Sequence, residues 1–199
     1  MTNTLVLGQH VKKTETRSGR LDWSFSVMWV LLLPAAQFVP APTVNPQMGA
    51  ALDLPIFLLL VFVLGLLRGA AVGIAQWLAQ RWGGYRFKWW IPATAVAWSF
   101  GLVVALAVGS ITAATPSLVS ALIFVMPGVL AGCVQWVLLR GTVARAELWV
   151  LATMIGWVLG AGIAATSGWT ISAVGIVVAW GFSGLAMHWL LRHPLSADA

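Results

Sequence analysis

The sequence predicts an all-α membrane protein: a polytopic bundle of about six transmembrane helices with a tandem two-helix repeat at an offset of 59 residues. The first of three observations is composition, since 60% of the 199 residues are hydrophobic, only 8% are charged, and the mean hydropathy is +0.93. Soluble domains carry about 25% charged residues. A chain this poor in charge cannot cover a water-facing surface, so it belongs to the integral membrane class.

The second observation is the spacing of apolar segments. They lie at about 23–39, 54–81, 89–111, 117–140, 147–166 and 169–191, within a bundle covering 23–192. Most meet the requirement of roughly 20 residues for a span. The first is short and contains Pro34, so we expect a kinked or partly interfacial helix, retained and not cleaved as a signal peptide. Residues 1–22 form a basic tail, and 193–199 form a short C-terminal tail.

The third observation is the distribution of basic residues. Ten of the eleven lysines and arginines lie in the two tails and in the second and fourth connections, which six spans place on one side. They are Lys12, Lys13, Arg17, Arg20, Arg81, Arg86, Lys88, Arg140, Arg145 and Arg192. The positive-inside rule therefore predicts that both termini are cytoplasmic. It also accounts for the net charge of +6 without nucleic acid as a partner.

An internal repeat links the two halves of the chain. "GAAVGIAQWLAQR" (69–81) aligns without gaps with "GVLAGCVQWVLLR" (128–140). Repeat 1 covers about 65–109, repeat 2 about 124–168, and a half repeat about 175–192. Its glycines predict close helix packing, because small residues let membrane helices approach one another. They are Gly65, Gly69, Gly73, Gly128, Gly132, Gly156 and Gly160.

Tryptophans near the basic ends of the segments are typical of an interfacial belt with basic anchors just beyond. They are Trp77, Trp90, Trp136, Trp149 and Trp189. Polar residues recur about one turn further inward, which predicts a polar layer in the cytoplasmic third of the bundle. They are Gln76, Thr94, Gln135, Thr153 and His188. The favoured interpretation is hydrogen bonding between helices; the alternative is a shallow site open to the cytoplasm.

Motifs for catalysis are weak, and we expect no enzyme activity and no catalytic residues. "GFSG" (181–184) resembles the nucleophile motif of rhomboid proteases. Their catalytic histidine comes from another helix, whereas His188 shares a helix with Ser183 and lies about 140° around it. The three histidines suggest no metal site, and we expect no cofactor. A less favoured interpretation makes His188 an axial ligand of haem or a chlorophyll.

The G-x3-G-x2-Q-W-x4-R block followed by a tryptophan-rich return helix resembles uncharacterised small multi-pass membrane proteins of cyanobacteria and green non-sulfur bacteria. The resemblance covers about residues 65–168. It implies an inner-membrane protein with repeated hairpins and no particular activity.

Two functions are consistent with the sequence. The first is a non-catalytic accessory or scaffold subunit that packs in a larger membrane complex, possible examples being photosynthetic or respiratory assemblies. The alternative is a small-solute or anion transporter or channel that uses Arg68 and the Gln/Thr layer. The partners implied are membrane lipids and either other membrane subunits or further copies of this chain.

Arg68 is the eleventh basic residue, and it lies in the middle of the second segment. It is thirteen residues from both Pro55 and Arg81, about 20 Å from each end. A charge at this depth needs a partner inside the protein. We expect it to donate to backbone carbonyls freed near Pro127, its counterpart in repeat 2, or near Pro34. The rival interpretation is an anionic ligand or a carboxylate from another subunit.

Overall fold

A computed structural model describes residues 23–37, 53–112, 115–166 and 172–195. These residues contain six helices. The helices are α1 (Trp23–Gln37), α2 (Leu54–Trp82), α3 (Trp90–Ile111), α4 (Pro116–Leu139), α5 (Glu147–Thr166) and α6 (Ser172–Leu191). Apart from turns and one isolated bridge, the described residues are helical, which confirms the all-α class. The predicted limits agree with these bounds to within two residues wherever they fall in the described part.

Five of the six helices are long and apolar enough to cross a membrane. The exception is α1, whose 15 residues rise only about 22 Å against a hydrocarbon core of about 30 Å. Pro34 lies inside α1, as the sequence predicted. The protein is therefore a multi-pass, membrane-embedded helical protein with five full-length helices and one shorter helix. The prediction that the first segment continues to residue 39 lies outside the described residues.

The helices form a closed ring in which each packs against its neighbours in sequence. Backbone contacts join α1 to α2, α2 to α3, and so on to α6, and α6 returns to α1. These six pairings are the helix–helix backbone contacts found among the described residues. α1 contacts both α2 and α6 and thereby closes the ring.

The glycines predicted to pack helices lie at these contacts. A methyl group added to Gly65 or Gly69 would lie 2.7 or 2.8 Å from a backbone Cα of α3, and one on Gly73 would lie 3.1 Å from another. In the second half, Gly128 and Gly132 face side chains of α5, while Gly156 and Gly160 face backbone carbonyls of α6. Side chains at these positions would push the helices apart, so the glycines set the helix spacing.

The basic connections gather at one end of the bundle. The α2–α3 turn reverses at Gly84, whose φ of +89° favours glycine, and the Tyr85 hydroxyl then donates to the Leu191 carbonyl at 2.6 Å. The α4–α5 connection pairs with the chain after α6 through a bridge between Val143 and Pro194. The first residues of the predicted C-terminal tail are thus bonded to the fold as far as Leu195, whose N–H donates to Thr142.

Candidate functional site

The predicted polar layer contains a hydrogen-bond network that joins α2, α3, α4 and α5. The side-chain Nε2 of Gln135 donates to Oε1 of Gln76 at 2.7 Å and to Oγ1 of Thr94 at 2.9 Å. Trp90 Nε1 donates to Gln76 Oε1 at 2.9 Å, and Trp149 Nε1 donates to Gln135 Oε1 at 3.2 Å. All five side chains are at most 2% exposed. The network is buried and satisfies its own members, as interhelical hydrogen bonds do.

The same tryptophan-to-glutamine bond occurs in both hairpins. Trp90 lies 14 residues after Gln76, and Trp149 lies 14 residues after Gln135. Thr153 is buried beside this pair and donates to the Trp149 carbonyl at 2.6 Å. Hydrogen bonds thus join three of the five predicted residues, Gln76, Thr94 and Gln135, to one another, and Thr153 lies one turn after Trp149.

Trp90 and Trp149 correct the predicted interfacial belt. Both are 0% exposed and belong to the core, because each lies on the inward face of its helix, where a glutamine oxygen accepts its indole N–H. Trp77 and Trp136 are partly exposed and lie under the guanidinium groups of Arg81 and Arg140. Those two, together with the exposed Trp189, have the surroundings expected of a belt.

The fifth predicted residue, His188, lies apart from the network at the contact between α1 and α6. Its Nδ1 is 3.1 Å from the Ser26 hydroxyl, and its ring stacks on Trp23 with a centroid distance of 5.5 Å. His188 thus has a partner on α1, and its place in one layer with the glutamines stays a prediction. These contacts give His188 a packing role, and no cluster of three metal-ligating side chains exists among the described residues.

Ser183 of the GxSG motif is fully buried and already bonded on both sides. Its hydroxyl donates to the Trp180 carbonyl at 3.0 Å and accepts from Trp29 Nε1 at 3.2 Å. The nearby histidine contacts Ser26 instead. Ser183 thus joins α6 to α1 through these bonds.

Tryptophans fill the interior of the ring at two levels. At one level, Trp149 lies 6.1 Å from Trp29 and 6.4 Å from Trp90 between ring centroids. At the other, Trp157 lies 5.7 Å from Trp98 and 5.2 Å from Trp180. Since α3 and α5 are not neighbours in the ring, their indoles meet across its interior. Sequence reasoning missed Trp29, Trp98, Trp157 and Trp180 as core residues, because nothing in their spacing separates an inward tryptophan from an interfacial one.

Arg68 lies in the middle of α2 and bonds to the last residue of α1. Its Nε donates to the side-chain Oε1 of Gln37 at 3.0 Å, and its Nη2 donates to the Gln37 main-chain oxygen at 3.2 Å. The prediction of carbonyl acceptors near Pro127 is wrong, because Pro127 packs its backbone against Gly101 of α3. The acceptors lie three residues beyond Pro34, and one of them is a main-chain oxygen. The second acceptor, a side-chain amide, was not expected.

An apolar groove of about 540 Å³ runs along the outer surface between α3 and α4. Its walls include Trp89, Phe100 and Cys133. Among the described residues no polar side chain lines it, so the groove provides an apolar surface without hydrogen-bonding groups.

Searches against protein-family models, curated proteins and solved structures find no match to this chain.

Proposed function

We propose that the protein is a non-catalytic accessory subunit that packs within a larger complex of the bacterial inner membrane. The observation that carries this proposal is the filled interior, where Trp90 and Trp149 meet at 6.4 Å across the ring. The buried glutamines bond to one another and to these indoles at the same level. An interior occupied in this way favours function on the outer surface of the bundle.

The outer surface is suited to contacts with other membrane helices and lipids. Its large exposed side chains are apolar along all six helices, and the groove between α3 and α4 is lined entirely by apolar groups. Away from the helix ends, Arg68 is the one charged residue in the described helices. Such a charge is rare in a membrane span and is typical of a functional position.

The orientation and the tandem repeat belong to the same proposal. The Tyr85–Leu191 and Val143–Pro194 contacts place the basic connections at one end of the bundle. The positive-inside rule favours that end as cytoplasmic, together with both termini. The tryptophan-to-glutamine bond, found twice at an offset of 59 residues, supports descent of both hairpins from one ancestral unit.

The test is purification of the tagged full chain from its native membranes in a mild detergent, followed by native electrophoresis and mass spectrometry. We expect the chain to migrate with larger membrane subunits at a fixed stoichiometry. An independently tagged, unrelated multi-pass protein from the same membranes serves as the control for incidental co-solubilised proteins. Migration as a lone monomer or homodimer, with anion flux when reconstituted into vesicles, would overturn the proposal in favour of the transporter alternative.

A further inference from the structure

Arg68 lies at the centre of the longest helix. It is fourteen residues from both ends of α2, Leu54 and Trp82, or about 21 Å along the axis in each direction. An arginine side chain cannot bring its charge fully to either surface from this depth. The guanidinium therefore depends on acceptors in the middle of the bundle.

The acceptors it finds use only part of its hydrogen-bonding capacity. Nε and Nη2 are bonded to Gln37, whereas Nη1 has no bond within the described part of the chain. Because Nε donates to Oε1, the amide of Gln37 is oriented with Nε2 as its remaining group. That Nε2 is buried and has no hydrogen-bond partner within the described ranges, and Gln37 is only 6% exposed. Arg68 and Gln37 thus form a cluster that presents only donors.

No carboxylate among the described residues contacts this cluster. The described acids are Asp53, at the start of α2, and Glu147, the first residue of α5. Asp53 lies fifteen residues before Arg68, about 22 Å along the helix axis. A cation with additional free donors in surroundings of low dielectric constant attracts an anion strongly.

The second hairpin packs without a charge at the corresponding level. The matching position in the second hairpin, 59 residues later, is Pro127, which packs closely on α3. The position is also within reach of a helix outside the bundle. Arg68 is only half-buried, and the preceding residue, Leu67, is 64% exposed on the outer surface.

We propose that Arg68 and Gln37 together bind a carboxylate carried by a membrane-spanning helix of a partner subunit. This inference rests on the proposed accessory role and gives the chemistry of the partner. Gln37 occupies the Nε–Nη2 edge of the planar guanidinium and so orients it, and the other edge, Nη1 with the second N–H of Nη2, supplies parallel donors, the arrangement that carboxylates accept most strongly. The carboxylate supplies the missing negative charge, and the surrounding apolar surface supplies helix packing.

The experiment measures association between the purified full chain and model membrane helices in lipid bilayers. The probes are two labelled polyleucine peptides of about 23 residues, one with a single central glutamate and one with a glutamine at that position. Energy transfer between chain and peptide gives the affinity. We expect the glutamate peptide to bind about tenfold or more tightly than the glutamine peptide. Equal binding of the two peptides would overturn the proposal.

Matched variants test whether the preference for glutamate requires Arg68 together with Gln37 or only a positive charge on α2. Arg68→Gln should abolish the preference for glutamate, and Gln37→Leu should reduce it. A chain with Arg68→Leu and Leu67→Arg moves the charge by one residue onto the outer surface, away from Gln37. We expect it to show at most a small preference; a full preference there would contradict the role of the built cluster. Monomeric migration in bilayer-like nanodiscs checks that each variant remains folded.

Two further measurements distinguish a free anion from a helix carboxylate and test the accessory role separately from the site. Chloride or acetate that displaces the glutamate peptide only at high concentration agrees with the proposal, whereas tight binding of chloride without a peptide preference overturns it. In native membranes, partner subunits that co-purify equally with wild type and Arg68→Gln would refute the site but leave the accessory role standing. Selective binding of the glutamate peptide without any co-purifying partner would support the site but refute the accessory role.

Discussion

Two glutamines that lie close together near one end of the bundle are expected to respond to the same substitution with opposite signs. Gln135 makes three side-chain hydrogen bonds, at 2.7, 2.9 and 3.2 Å, to partners on α2, α3 and α5. Gln80, one turn after Gln76 on α2, is 0% exposed, and among the described residues neither its Oε1 nor its Nε2 has a hydrogen-bond partner. Leucine has nearly the volume of glutamine, so the substitution changes polarity more than packing.

The magnitudes follow from this difference in partners. Each interhelical hydrogen bond in a membrane protein contributes about 0.6 kcal/mol, and at most about 1.7. Gln135→Leu removes three and leaves the Trp149 indole N–H buried without an acceptor, at a further cost of about 1–3 kcal/mol. We expect the free energy of unfolding to fall by about 3–5 kcal/mol. Gln80→Leu removes a buried amide without partners, so stability should stay unchanged or rise by about 1 kcal/mol.

The assay is reversible unfolding in mixed micelles, with steric trapping to obtain the free energy of unfolding. A double-mutant cycle of Gln135→Leu with Trp149→Phe isolates the 3.2 Å bond, because the second substitution removes the donor left without an acceptor. The double variant should be less destabilised than the sum of the two single variants. Equal loss of stability in Gln135→Leu and Gln80→Leu would refute the reasoning, as would strict additivity in the cycle.

Three further predictions concern packing, the basic end of the bundle and the serine motif. Gly128→Ala should destabilise the chain by about 1–3 kcal/mol in the same unfolding assay, because the new methyl overlaps the buried Trp157 ring. The control is Gly181→Ala, whose methyl meets open space, so this variant should be as stable as the wild type or more stable. Burial raises the pKa of Tyr85, so stability should be constant below the ordinary tyrosine pKa of about 10 and fall as the pH rises through the higher folded value; Tyr85→Phe should remove this fall, and the absorbance of the single tyrosine gives its titration directly. A fluorophosphonate probe should leave Ser183 unlabelled, with mass spectrometry as the readout, and labelling lost in a Ser183→Ala variant would contradict its packing role.

The helices and their close contacts could be predicted from the sequence because both depend on local patterns. Apolar length determines where α2 to α6 run, and small residues at four-residue spacing mark where the backbones approach. Gln76 and Gln135 were also predictable as hydrogen-bonding residues, since an amide at that depth needs a partner. Their tryptophan partners were not, because a tryptophan near a helix end is equally typical of a membrane interface.

The contacts of α1 could not be predicted for a different reason. Neither repeat contains a counterpart of α1, so no internal comparison indicates which of its faces meets which helix. Its partners are determined by the way in which the ring closes. Ser26 bonds to His188, 162 residues away in sequence, and Gln37 bonds to Arg68, 31 residues away. The local pattern around Arg68 indicates only that a partner is needed, and the acceptor's identity depends on tertiary structure.

α1 connects these observations, because it contacts three polar groups that lie outside the network shared by the two hairpins. Trp29 donates to Ser183, Ser26 bonds to His188, and Gln37 accepts from Arg68. The first two contacts complete the packing between α1 and α6. Among the described residues, the third leaves donors unused, at the last residue of α1 and beside an exposed surface of α2. The bonds to Gln37 use only part of Arg68, since Nη1 has no bond within the described part of the chain, and this remaining capacity argues for a partner outside the chain.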